Sequence, residues 1–302
     1  MRCGSTTINL LLSQHPEIFM SPRKEPCFFI AEYMRQQLEL GLGSADEVRA
    51  YEDQGRFRTR EKYATLFENA TSERWVGEAS HYIYAPDVRG IIDGMSPNAR
   101  ILVAFRDPVD RLVSEYGRLV REEKTTETLD EFALRDATVS DGRITGFGKT
   151  SKLRRGLQAQ LVQPWIETFG ADRVKFLFFE DLETDPMGVS ADIYSWLEVD
   201  SSFKPTVVHT QKGGHVRAPG LVRALNNSRK PARLIKGLLP KMLKEQIRSK
   251  IYKGAVERPK LSGELEELLR AFYLPDIIAL QELTNRDLSH WQRSTVTQGL
   301  RQ

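Results

Sequence analysis

The residues best suited to chemistry stand at the start of the chain. Arg2-Cys3-Gly4-Ser5-Thr6-Thr7 is a short, hydroxyl-rich turn that runs into Ile8-Asn9-Leu10-Leu11-Leu12. Ile8, Leu11 and Leu12 share one helical face, and Pro16 bounds the helix. The turn therefore precedes a helix N-terminus, where unpaired N–H groups and the helix dipole favour an anion. Gly4 lets backbone approach closely, Ser5, Thr6 and Thr7 add donors, and Arg2 adds fixed charge. A phosphate or sulfate group fits this pattern; so does an ordinary Gly-Ser-Thr turn before a helix. A Walker A loop does not, because no earlier glycine stands at the required spacing and no Lys follows Gly4. That disfavours a P-loop nucleotide kinase.

Two further stretches offer charge for an anion. Arg106-Asp107-Pro108 closes an apolar run, with Ser114 eight positions on, two helical turns into the next element. Lys212-Gly213-Gly214, with Arg217, is a cationic, glycine-bearing loop. Each also has a plain structural reading: a solvated turn pair, a neutral helix residue and a flexible loop. In a parallel α/β sheet, ligands bind outside the carboxyl ends of the strands, and the opening turn and Arg106 both fit that position.

Around these residues the pattern alternates between strand and helix. Strands are predicted at 17–20, 74–78, 100–105 and 174–179, the last two apolar enough to be buried on both faces. Helices are predicted over 28–40, 45–53, 59–69, 86–95, 109–122, 153–169, 186–197, 262–273 and 276–283. Thr128-Leu129-Asp130-Glu131 has the form of a capping box, and a polar loop is expected over 137–151. The order predicts an α/β fold: a P-loop-like, doubly wound parallel sheet flanked by helices, with a helical C-terminal extension, in one domain over 1–302. A turn of this type normally follows a buried strand, and none precedes Met1; the expectation is a sheet short of its usual first strand, or an internal start.

Composition narrows the class. The chain has 302 residues, 40% hydrophobic, enough for a large core. Its net charge is only +3, but twelve Lys and Arg against two Glu between Leu221 and Lys260 leave about −7 elsewhere. Within that segment Leu234, Ile235, Leu238, Leu239, Met242, Leu243, Ile247 and Ile251 form an apolar stripe broken at Pro240. It reads as a buried helix pair with solvated cations, or as a peripheral contact with an anionic membrane or acceptor. Two cysteines without metal spacing and five scattered histidines give no metal site. The cysteine usage, with no signal peptide or spanning segment, points to a cytoplasmic protein.

Taken together, the motifs resemble those of sulfotransferases that use 3′-phosphoadenosine 5′-phosphosulfate (PAPS), most closely the bacterial and heparan-sulfate-type members. Arg2 to Thr7 resembles the family's 5′-phosphosulfate loop, P-K-[SC]-G-T-T. The stretch Arg106 to Tyr116 resembles its 3′-phosphate motif, in which the leading Arg and the Ser bind that phosphate. Ser21 to Phe29 resembles the stretch that carries a catalytic Glu before a Phe-Phe pair, here Glu25. Lys212, Gly213, Gly214 and Arg217 resemble the late loop that closes over the cofactor. The resemblance implies sulfuryl transfer to a hydroxyl or amine of an acceptor such as a glycan, lipid or small metabolite, with no metal and no nucleic-acid partner. It makes Glu25 the base and Arg2 the charge stabiliser, where most members have Lys. Glu78 is followed by Ala79, where glycan-type members often carry Lys. For Glu25 the residues alone also allow a solvated loop carboxylate paired with Lys24 or Arg23. A non-catalytic anion- or nucleic-acid-binding module built on the basic segment is the alternative from another class.

Overall fold

Apolar periodicity sets the first helix. In the computed structural model, which describes residues 3–85, 87–122, 124–148, 151–206, 215–216, 256–257 and 259–292, helix α1 spans Ser5–Leu12 and buries Ile8, Leu11 and Leu12. Strand β1 (Ile18–Met20) follows, then α2 (Phe28–Glu39), α3 (Ala45–Asp53) and α4 (Arg60–Ala64), and β2 (Trp75–Gly77) pairs parallel with β1. Next come α5 (Arg89–Met95), β3 (Ile101–Phe105) and α6 (Pro108–Arg121). After α7 (Leu129–Leu134) and the strands β4 (Ala137–Ser140) and β5 (Arg143–Phe147), α8 (Gln158–Phe169) leads to β6 (Val174–Phe178). β6 pairs parallel with β3, Ile101 opposite Val174 and Phe105 opposite Phe178. Then follow α9 (Phe179–Thr184), α10 (Pro186–Trp196), the two-residue strands β7 (His215–Val216) and β8 (Val256–Glu257), and α11 (Gly263–Thr284). The α/β class and its helical C-terminal segment are as expected.

The described residues of 1–111, 154–210 and 270–293 form one compact unit, and those of 112–153 and 211–269 a second. In the first, strand alternation sorts the core by face. Leu102, Ala104 and Leu177 join Ile8, Leu11, Leu12, Ile193 and Tyr194 in one apolar cluster with α1 and α10. Phe105 meets Phe176 and Phe178, at 5.7 Å between ring centres in each case. The Tyr194 hydroxyl donates to Leu11 O at 2.8 Å. The Asp276 carboxylate caps α8, accepting from the N–H groups of Ala159 (3.0 Å) and Gln160 (3.1 Å).

In the second unit the capping box forms: Thr128 Oγ1 accepts from Glu131 N–H, and Glu131 Oε2 from Thr128 N–H. Behind it Phe132 and Tyr116 pack at 5.5 Å. β7 and β8 pair antiparallel, so part of the predicted late loop is strand.

Three expectations change. The loop over 137–151 contains a hairpin, β4 antiparallel to β5, turning at Asp141-Gly142 with φ of 50° and 67°. Two positive-φ residues match strand twist in a tight hairpin, and Asp-Gly is their usual sequence. The two C-terminal helices are one, because α11 runs through Pro275. β3 is less buried than expected: Val103 and Phe105 are buried and Ile101, Leu102 and Ala104 partly so, with one edge paired to β6 and the other bordering a cavity. The apolar stripe from Leu234 to Ile251 lies outside the described residues.

Gly142→Val should lower unfolding stability by about 1–2 kcal/mol, the cost of a left-handed conformation for a side chain with a Cβ. Urea unfolding measures it; an unchanged midpoint would contradict the turn geometry.

Candidate active site

The strands deliver their chemistry at one end. β1 leads through Ser21 to Lys24 and Glu25, β2 to Glu78 and Ala79, β3 to Arg106, and β6 to Phe179 and Glu180. All four arrive near the start of α1, at Cys3, Gly4 and Ser5.

Gly4 has φ of +85°, and a Cβ there would lie 2.5 Å from Leu182 Cδ2 and 3.3 Å from the Phe179 ring. Only glycine allows α1 to begin this close to α9. The Arg106 guanidinium stacks on the opposite partner of that contact, 4.1 Å from the centre of the Phe179 ring. Phe179 thus links the opening turn to the Arg106 motif. Burial pushes the Cys3 thiol up, against the pull of Arg111 and Arg106, so Cys3 serves as packing under the turn.

Arg106 is not a solvated turn residue. Its side chain is 11% exposed, with Asp110 at 3.8 Å. Gln158 pins its backbone from both sides, accepting from Arg106 N–H at 3.2 Å and donating to Arg106 O at 2.8 Å. Asp107 is buried and opens α6, its Oδ1 accepting from Val109 and Asp110 N–H at 2.8 and 3.0 Å. Its Oδ2 accepts from Arg270 at 2.9 Å. Burial pushes the Asp107 carboxyl up, and Arg270 opposes that shift.

The 24–27 stretch carries what the sequence reading missed. Lys24 Nζ donates to Thr6 Oγ1 at 3.0 Å and to Ser5 Oγ at 3.3 Å. Desolvation lowers the Lys24 pKa, with Glu25 working the other way. Lysine beside a candidate base reads as its ion-pair partner; here it caps the hydroxyls of the turn instead. Only the fold brings β1's exit back over α1, so no local signal marked it.

Glu25 sits at φ 58° and Cys27 at 57°, left-handed for residues with side chains. Such conformations persist where surrounding bonds hold them. Glu25 N–H donates to Ala79 O at 2.9 Å, and Cys27 N–H to Ser80 Oγ at 3.4 Å. The facing loop is held by half-buried Glu78, which accepts from the hydroxyls of Ser80 (2.6 Å) and Tyr82 (2.5 Å). Burial raises the Glu78 pKa. Glu25 behaves in the opposite way. His81 Nδ1 stands 3.7 Å from its Oε1, and that interaction holds the Glu25 carboxyl below its usual range, against desolvation and with help from Lys24. The side chain is 39% exposed, so the carboxylate is reachable from solvent.

The structure thus brings Cys3, Gly4, Ser5, Thr6, Lys24, Glu25 and Arg106 to one end of the sheet. Thr7 is in α1, and Ser114 is on α6, eight residues after Arg106. Arg2, Lys212, Gly213, Gly214 and Arg217 lie outside the described residues. Among the described residues no group of His, Cys, Asp and Glu could hold a metal ion, and no helix is long and apolar enough to cross a membrane.

The arrangement gathers a glycine-bearing helix N-terminus, a lysine and a carboxylate at one end of the sheet, and comparison with known proteins gives the chain a class. The model of the sulfotransferase family matches residues 1–204. The chain belongs to that family. Carbohydrate sulfotransferase 15 of Homo sapiens is 27% identical over 220 residues, 60% of this chain and 39% of that protein. Heparan sulfate glucosamine 3-O-sulfotransferase 3B1 of Mus musculus is 27% identical over 109 residues, 35% of this chain and 26% of that protein. The chain therefore spans well under half the length of these relatives. A sulfotransferase from Alicyclobacillus acidocaldarius has a similar structure, with TM-score 0.64 and 25% identity, covering 97% of this chain and 95% of that one.

Gly4→Ala should cost about 1–3 kcal/mol of stability, because strain and the Leu182 contact both oppose it. Thermal unfolding checks this, and an unchanged Tm would mean that α1 does not begin so close to α9.

Proposed function

We propose that this sulfotransferase moves the sulfuryl group of PAPS to a hydroxyl or amine of an acceptor, with Glu25 as general base. The observation that carries this is the adjacency of Lys24 and Glu25: one caps the Ser5 and Thr6 hydroxyls, and the next presents an ionised carboxylate beside them. The residues fit a phosphosulfate. Gly4 leaves room that a Cβ would fill, and the turn offers N–H groups, hydroxyls and a cation. PAPS supplies an activated sulfuryl group and an adenosine 3′,5′-bisphosphate that departs.

Sulfuryl transfer resembles phosphoryl transfer, in which positioning and charge stabilisation dominate. Arg2, Lys24 and the backbone from Gly4 to Thr7 hold charged oxygens. Arg2 keeps its proton at all working pH. Lys24, with a lowered pKa, is the cation at this turn able to give one up. Arg106 and Ser114 bind the 3′-phosphate, and Lys212, Gly213, Gly214 and Arg217 close over the nucleotide. Glu25 takes the acceptor's proton as the acceptor oxygen or nitrogen is sulfated. The relatives' names make sugar hydroxyls and amines the first acceptors to try. Cys3 and Cys27, both free and buried, suit a reducing compartment such as the cytoplasm.

Titration calorimetry tests nucleotide choice. Adenosine 3′,5′-bisphosphate should bind far more tightly than ADP or DNA; the reverse order would favour a kinase or a nucleic-acid module. Arg106→Ala should weaken that ligand by about 1.5–3 kcal/mol, the worth of a hydrogen bond to a charged group, and leave adenosine 5′-phosphate nearly unchanged. Lys24→Met should weaken both ligands alike, because it reads the 5′ end. Equal losses for the two ligands in Arg106→Ala would remove Arg106 from 3′-phosphate recognition.

Glu25→Gln should lower turnover by about two to four decades with nucleotide affinity intact. Because the folded Glu25 pKa is lowered, the base is ionised throughout neutral pH, and the acid limb of the rate should lie below about pH 4.3, the ordinary glutamate value. His81→Ala removes the main cause of that shift, so it should move the limb upward in pH. A limb that stays in place would detach His81 from the base.

A further inference from the structure

The C-terminal helix α11 holds the Arg106 loop from two directions. One runs through α8: Asp276 caps that helix, and Gln158 in its first turn bonds the Arg106 backbone on both sides. The other runs through Asp107. With its Oδ1 taken by the first N–H groups of α6, Asp107 turns Oδ2 to Arg270 of α11. Arg270 Nη1 donates to that oxygen at 2.9 Å and to Trp291 O at 2.5 Å. Trp291 Nε1–H in turn donates to Glu180 Oε1 at 3.2 Å, and the Asp107 N–H reaches the same oxygen at 3.4 Å. Asp107, Arg270, Trp291 and Glu180 therefore close a ring.

This ring meets both supports of the Arg106 guanidinium. Asp107 follows Arg106 in the chain. Glu180 follows Phe179, whose ring centre lies 4.1 Å from that guanidinium. Fixing residues 107 and 180 to each other therefore fixes the cation over its aromatic platform. Anchoring α11 does not require such bonds, since Tyr273, Ile277 and Leu280 already bury that helix. Nor is stability the gain. Arg270 is 8% and Asp107 7% exposed, and an ion pair so buried adds little over apolar residues of the same volume. What it adds here is a defined geometry.

We propose that Arg270 is a positioning residue for nucleotide recognition. Through Asp107 on one side, and Trp291, Glu180 and Phe179 on the other, it holds the Arg106 guanidinium where a 3′-phosphate is read. That role rests on the proposed reading of Arg106 as the 3′-phosphate ligand. A long cation held in place before binding loses less side-chain freedom on contact than one the ligand must order. The gain falls on ligands that carry a 3′-phosphate and not on those that lack it. Arg270 thus acts on nucleotide choice rather than on nucleotide affinity at large.

Calorimetry of the full chain with adenosine 3′,5′-bisphosphate and adenosine 5′-phosphate gives the 3′-phosphate preference as a ratio of affinities. Arg270→Met alone strands the buried Asp107 charge, so it is made together with Asp107→Asn, whose amide oxygen still caps α6. Arg270→Lys keeps the charge without the planar fork. Cooperative thermal unfolding shows which variants fold. The paired variant should lower the preference about tenfold or more, with adenosine 5′-phosphate affinity within about twofold of wild type. Arg270→Lys should lose less, a partial rescue. Added to Arg106→Ala, the paired change should lower the preference no further, because both act through one guanidinium. Wild-type preference in the variants that fold would overturn the proposal. So would equal losses for both ligands, which mark a general loosening, and so would a further drop beyond Arg106→Ala. A wild-type chain with no preference, or one that keeps it after Arg106→Ala, refutes the reading of Arg106 itself and the role of Arg270 with it.

Discussion

The site depends on one close approach, that of the Gly4 backbone to Phe179 and Leu182. A helix N-terminus is useful to an anion only where its N–H groups are bare and other charges can be brought near. Bringing them near means packing the turn on the ends of strands, and a side chain at residue 4 would hold it off. With no Cβ in the way, α1 starts against α9, and the face of Phe179 is left to carry Arg106 at 4.1 Å. The guanidinium is thereby fixed by an aromatic ring, with Gln158 around its backbone and Asp110 at 3.8 Å. Positive charge at the cradle is built into the packing, in a chain whose net charge outside 221–260 is negative.

The same economy of backbone governs Lys24 and Glu25. Consecutive residues on an extended chain point to opposite sides, and the left-handed turn at Glu25 changes that relation. One side chain reaches the hydroxyls of α1 while the next meets His81. The strain this costs is held by bonds to Ala79 and Ser80, and that loop is itself held by Glu78 through Ser80 and Tyr82. Two glutamates a short distance apart therefore differ in kind. Glu78 is half-buried, its pKa raised by desolvation, and it accepts hydrogen bonds that hold its loop. Glu25 is exposed, its pKa is lowered beside His81, and it is the residue proposed as the base. Environment and not residue type separates the roles.

Much of this was legible in the sequence because it is local. Helical periodicity marked α1, apolar runs marked β3 and β6, and Thr128 to Glu131 announced its own cap. The hairpin at Asp141-Gly142 was also local, but its polar strands hid it, since an exposed ribbon has no apolar face to alternate with a polar one. The sequence suggested two helices, 262–273 and 276–283, yet one helix that buries Leu269, Tyr273, Ile277 and Leu280 runs through Pro275, because packing outweighs one lost hydrogen bond. Lys24 was missed for a different reason. Its partners Ser5 and Thr6 are eighteen or nineteen residues away, and nothing in its neighbourhood distinguishes a cation that meets them from one that meets Glu25.

The half-open β3 shows where a composition argument stops. An apolar run says that a strand prefers to be covered; it does not say by what. At one edge every residue of β3 is paired with β6, Val103 opposite Phe176 and Phe105 opposite Phe178 among them. At the other edge Ile101 to Ala104 keep the apolar character of a central strand while bordering a space. Residues chosen for a position in the middle of a sheet, standing at its edge, are a conflict between local sequence and surroundings of the kind that folded proteins otherwise avoid. Val76 repeats it on the facing strand.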